Sequence, residues 1–116
     1  MQRFSYANKG ICKVDKKAVI EIAKKYSEEI RNFLPVKKVV LFGSFARGDQ
    51  KEHSDIDIAV IVDKIIGDYL DLSSKLFSVR YPIDLRIEPI LFEEGYDPSG
   101  FLEEIYRTGI VVYQAA

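Results

Sequence analysis

At 116 residues, 47% hydrophobic, 30% charged and with a formal charge of -1, the chain suits one globular domain over residues 1–116 with a single modest core. No apolar run approaches the ~20 residues that a membrane helix needs, and the first residues lack the charged-then-apolar pattern of a secretion signal, so a cytoplasmic protein with no membrane association is expected. The single cysteine, Cys12, excludes an internal disulfide and has no neighbouring ligand set for zinc.

Asp15 can cap a first helix over residues 15–33, in which Val19, Ile22, Ala23, Tyr26, Ile30 and Phe33 recur at three- and four-residue spacing before Pro35. Lys38 to Phe42 then reads as a short strand buried on both faces, ending at the Gly43-Ser44 turn. After a polar loop, Asp55 to Val62 forms a second strand. Ile56, Ile58, Val60 and Val62 fall on one side of it, and Asp55, Asp57, Ala59 and Ile61 on the other. Gly67 or Asp68 opens a helix to about Arg80, carrying Tyr69, Leu72, Leu76 and Val79 inward. Ile83 to Glu88 alternates as a third strand, which beside the second would bring Asp84 close to Asp55 and Asp57. Asp97-Pro98 caps a last helix through Thr108 with Phe101, Leu102, Ile105 and Tyr106 inward, Gly109 makes its C-terminal turn, and Ile110 to Tyr113 closes as a strand.

These elements frame one chemical motif. An apolar strand runs into Gly43-Ser44, where a helix start offers free amides to a phosphate, and ten residues later Asp55 and Asp57 stand two apart on one strand face. At ~5 Å and an effective dielectric of about 20, two such charges repel by roughly 3 kcal/mol, a cost that a divalent cation turns into attraction. Arg47 can reach a triphosphate or pair with Asp49. Arg86 and Glu88 share the face of Asp84 but lie roughly 7 and 13 Å further along an ideal strand, and His53 reads as a solvated loop histidine.

Gly43-Ser44, ten residues, then Asp55-x-Asp57 resembles the signature of the polymerase-beta-like nucleotidyltransferase superfamily. The wording Phe-Gly-Ser-Phe-Ala-Arg-Gly-Asp and the short chain are most similar to the minimal nucleotidyltransferases, antitoxins of modules whose toxin is a helical HEPN-domain ribonuclease. The resemblance implies an α/β (α+β) fold with a mixed, mainly antiparallel sheet flanked by helices. It also implies transfer of a nucleoside monophosphate, AMP from ATP, to a hydroxyl. Asp55, Asp57 and Asp84 would be catalytic and would hold two Mg²⁺ ions, and Gly43, Ser44 and Arg47 would bind the nucleotide. The acceptor or the acceptor-binding half would come from another chain, by resemblance a HEPN toxin. Two rivals stand beside this reading: a transferase for a small hydroxylated molecule of the aminoglycoside type, and a binding antitoxin without catalysis.

Charge is unevenly spread, with ten Lys or Arg against four acids in residues 1–38 and seven against fourteen in 39–116. This is either a solvated helix face or a basic edge, built from Lys9, Lys13, Lys16, Lys17, Lys24 and Lys25, that docks a polyanion or an acidic partner surface; whether the chain forms an oligomer is left open. No interleaving of aromatic and basic residues argues for direct nucleic-acid binding.

Overall fold

The structure, a computed structural model, describes residues 8–51 and 53–116, with side chains from Lys16 onward. Among the described residues four helices and four strands alternate as α1 (Asn8–Ile30), β1 (Val36–Phe42), α2 (Ser44–Arg47), β2 (Ile56–Val62), α3 (Tyr69–Val79), β3 (Ile87–Glu93), α4 (Phe101–Thr108) and β4 (Ile110–Gln114). The strands form one sheet in the order β3-β2-β1-β4, with β1 antiparallel to both β2 and β4, and β2 parallel to β3. It is the mixed, mainly antiparallel sheet that the sequence suggests.

Strand alternation divides the core in two. Val39 and Leu41 of β1, Ile56, Ile58, Val60 and Val62 of β2, and Ile87 and Leu91 of β3 pack with Val19, Ala23, Tyr26 and Ile30 of α1 and Leu76 of α3. On the opposite face, among the described residues, Val40, Phe42, Ala59 and Ile61 pack with Leu102 and Ile105 of the short α4. Asp57 and Glu88 belong by alternation to this second, more thinly covered face. Gly109 lets α4 turn back onto β1, since a Cβ there would come 2.5 Å from Val40 Cγ1 and 2.6 Å from the Ile105 carbonyl oxygen.

Several boundaries differ from the sequence expectation. α1 already includes Asn8, so Asp15 lies within the helix and not at its N-terminus. Between Asn8 and Val14 only Gly10 disfavours a helix, by about 1 kcal/mol. Cys12, Lys9 and Lys13 lie outside the described side chains, so the basic edge is described only from Lys16 onward. Asp68 does cap α3, its side chain accepting from the amides of Leu70 and Asp71. Asp97 likewise accepts from Leu102 and Glu103 at 2.9 and 3.0 Å, although α4 itself starts only at Phe101. Phe101, Tyr106 and Tyr69, expected inside, are substantially exposed. No helix among the described residues is long and apolar enough to cross a membrane.

The outer edge of β3 is blunted against further pairing. Ile56 N–H donates to Arg86 O and Glu94 N–H to Val62 O, so in a parallel ladder the backbone groups of Glu88, Ile90 and Phe92 turn to β2 and those of Ile87, Pro89 and Leu91 turn outward. Pro89 has no N–H to leave unpaired there, and Leu91 O accepts from the Tyr69 hydroxyl at 3.3 Å.

Candidate active site

β1 delivers the chain to Gly43, whose φ of 76° and ψ of -150° fall in a region that only glycine enters cheaply. A Cβ at Gly43 would also sit 2.2 Å from Asp57 Oδ2, so the turn and the carboxylate are packed against each other. α2 follows, tied down by the buried Phe45 and by bonds from Arg47 N–H to Gly43 O (3.0 Å) and from Gly48 and Asp49 N–H to Ser44 O (2.9 and 3.1 Å). As at any helix start, the first-turn amides have no carbonyl one turn back, and here they lie at the turn that touches Asp57.

Asp57 stands across from Phe42 of β1 on one side and from Glu88 of β3 on the other. Burial pushes its carboxyl above the usual range. Asp55, just before β2, and Glu88 push it further, and Arg47 partly offsets them. Negative charge is therefore concentrated where a cation would be stabilised. Among the described residues no group of three or more His, Cys, Asp or Glu side chains forms a ready-made metal cage. An open pair of carboxylates, Asp55 and Asp57, still fits Mg²⁺, which keeps several waters and takes phosphate oxygens as ligands.

Asp84 falls outside β3, in the turn before it. The segment from Arg80 to Arg86 is a series of turns, with Ile83 and Asp84 N–H both donating to Arg80 O, so the strand expected at Ile83 begins only at Ile87. In that turn Arg86 grips Asp84 through Nε (3.1 Å), a terminal nitrogen (3.0 Å) and its own amide (2.9 Å), which holds the Asp84 carboxyl below the usual range. The four-residue shift in strand start replaces Asp84 by Glu88 beside Asp57. Glu88 is backed by Arg80, 3.8 Å away, whose guanidinium also donates to the carbonyls of Leu85 and Ile87 and stacks on Phe77. In the sequence Glu88 stands only as a more distant residue on the face of Asp84, able to line the site from behind it, and Arg80 does not stand out. The available signal was Pro89, which marks an edge strand and opens the apolar run from Pro89 to Phe92. Arg47 pairs with Asp49 at 3.2 Å, with both side chains more than half exposed; such a pair is weak enough to open for a phosphate.

Residues 17–116 match the family described as polymerase beta, nucleotidyltransferase. A protein of Methanocaldococcus jannaschii provisionally named a protein adenylyltransferase is 34% identical over 100 residues, covering 81% of this chain and 98% of the relative. The chain belongs to the polymerase-beta nucleotidyltransferase family. The fold of this nucleotidyltransferase is also that of a solved chain from Sulfolobus solfataricus provisionally described as a nucleotidyltransferase. The TM-score is 0.65 at 23% identity, covering 98% of this chain and 92% of the other. It also matches a toxin–antitoxin structure containing AMP-PNP, with a TM-score of 0.56 at 22% identity over 79% of this chain and 73% of that one.

Proposed function

We propose that this nucleotidyltransferase moves AMP from ATP onto a hydroxyl of a partner protein, a HEPN toxin, and thereby acts as its antitoxin in the cytoplasm. The observation that carries the reading is the contact of the Gly43 turn with Asp57: it sets helix-start amides, suited to a triphosphate, against carboxylates suited to its counter-cations. The name of the relative, a protein adenylyltransferase, favours a protein acceptor over a small molecule.

In the step itself the acceptor hydroxyl oxygen forms a bond to the α-phosphorus. The bond from that phosphorus to the bridging oxygen breaks, and its electron pair leaves on pyrophosphate. Asp55 and Asp57 would hold Mg²⁺, two ions by family resemblance, which when bound stabilise the attacking and leaving oxygens. The Gly43 and Ser44 turn receives phosphate oxygens, and Arg47, released from Asp49, adds positive charge. Glu88, with the Arg80 guanidinium 3.8 Å away, takes the hydroxyl proton directly or through water.

ATP labelled in the α- or the γ-phosphate tests this in one experiment with Mg²⁺ and the candidate toxin. Label from the α-position should become acid-stable on the protein while γ-label appears only in pyrophosphate. Protein-bound γ-label, or no protein-bound label at all, would refute the proposal.

A further inference from the structure

At the other end of β3 from Glu88 lies a cavity of about 480 Å³, walled by Ile90 and Phe92 of β3, by Tyr69, and by Tyr96, Pro98 and Phe101 ahead of and within α4. Its aromatic lining stays in contact with water: Tyr69, Tyr96 and Phe101 are 45, 67 and 44% exposed. Ile90 and Phe92 share the sheet face of Glu88 and Asp57, and four residues of strand set Phe92 roughly 13 Å from Glu88. Phe101 bridges the two regions, its ring 5.9 Å from Phe92 and 5.8 Å from Phe42, the residue that precedes Gly43.

The charge of the surround is one-sided. The two segments that wall the cavity, residues 63–71 and 91–99, carry six carboxylates, including the lining residues Glu93 and Asp97, against the single cation Lys64. Lys37 reaches in from β1 only to pair with Glu94. Apolar aromatic walls with an acidic surround suit an apolar side chain flanked by Lys or Arg, whose cations gain both Coulomb and cation–π attraction. An added β-strand is the poorer fit, because Pro89 offers no N–H and the Leu91 carbonyl is already taken by the Tyr69 hydroxyl on the outer edge of β3.

We propose that this cavity docks a basic, apolar-anchored segment of the protein acceptor, holding it along the thinly covered sheet face so that the acceptor hydroxyl reaches the carboxylates. The inference rests on the protein-acceptor reading above, and the two fail separately. The probe is a synthetic amphipathic leucine–lysine peptide, with a leucine–glutamate peptide of the same pattern as control. Both are titrated into the ¹⁵N-labelled full chain and followed by amide chemical shifts. The lysine peptide should shift residues 65–69 and 93–101 and bind at least about tenfold tighter than the glutamate peptide. Tyr96→Arg, at an exposed position, and Glu93→Gln, which keeps an acceptor for the Ile65 amide, should each weaken it. With the toxin as acceptor, Tyr96→Arg should raise KM about tenfold with kcat and Mg²⁺·ATP stabilisation unchanged. Equal binding of both peptides, or shifts confined to other surfaces, overturns the proposal. So does a wild-type dimer that Tyr96→Arg converts to monomer, since a second copy would then be the occupant. Selective peptide binding without any transfer to protein leaves the docking site standing and refutes the adenylyl-transfer reading instead.

Discussion

Glu88 of β3 is the cross-strand partner of Asp57 of β2, and Arg80 stands behind it at 3.8 Å. Asp84, four residues earlier, is instead held by Arg86 in the turn before the strand. The two acids should therefore behave oppositely in a transfer assay. Glu88→Gln should lower kcat by about two orders of magnitude or more, the usual loss for a proton-transfer group, with the fold intact. Asp84→Asn should leave kcat within a few-fold of wild type and lower the melting temperature. The reverse ranking would restore Asp84 to the site.

Gly43 tolerates no side chain for two separate reasons, its backbone angles and the 2.2 Å approach of a Cβ to Asp57 Oδ2. Gly43→Ala should cost about 1–3 kcal/mol from backbone strain alone. By displacing Asp57, it should also remove the extra thermal stabilisation given by Mg²⁺ and ATP together. A variant that melts lower yet keeps that ligand-induced shift would separate the turn from the site.

The pH dependence of the metal-free protein follows from opposite shifts at two aspartates. The Asp57 carboxyl is raised by burial and by Asp55 and Glu88, so its contribution to stability is complete below the unfolded value and is lost as pH rises through the folded one. The Asp84 carboxyl is lowered by Arg86, so its contribution is present above the unfolded value and is lost as pH falls through the folded one. With a chelator present, Asp57→Asn should melt above wild type at neutral pH, with the gap closing toward about pH 4. Asp84→Asn should melt below wild type at neutral pH, and its gap should close further into acid. Melting curves across this range check both signs.

Tyr26 ties α1 to α3. Its ring is fully buried and its hydroxyl donates to Leu76 O at 2.5 Å, while burial raises its pKa well above the ordinary phenol value. Tyr26→Phe keeps the ring and removes the bond, so a loss of about 1 kcal/mol, or roughly 4–8 °C in Tm, is expected without change in Mg²⁺·ATP binding. Thermal melts with and without the ligands measure both.

The parts of this fold legible in the sequence are those written in local periodicity. The two faces of β2, the helical stripe of Val19, Ala23, Tyr26 and Ile30, and the cap at Asp68 all appear as expected. So does the sharp turn at Gly43. Where β3 begins was not legible, because Ile83-Asp84-Leu85-Arg86 alternates as well as any strand. What decides against it is the Arg80 guanidinium folding the turn onto Leu85 and Ile87, a contact between side chain and backbone that leaves no periodic trace. Register depends on that start, so the acid opposite Asp57 was misplaced by four residues. The exposure of Phe101 and Tyr69 was equally hidden, since apolar residues that line an open cavity repeat with the same spacing as those in a core.

A protein that neutralises its partner as a catalyst, through Asp55, Asp57 and Glu88, works below one equivalent. Intact-mass spectrometry of the toxin after incubation with well under one equivalent of the nucleotidyltransferase, ATP and Mg²⁺ tests it most directly. Complete conversion of the toxin to species heavier by one or more adenylyl units is expected, and none with Asp55→Asn/Asp57→Asn even if that variant still binds. Full neutralisation at a one-to-one ratio by wild type and double variant alike, with no mass change in either, would contradict it.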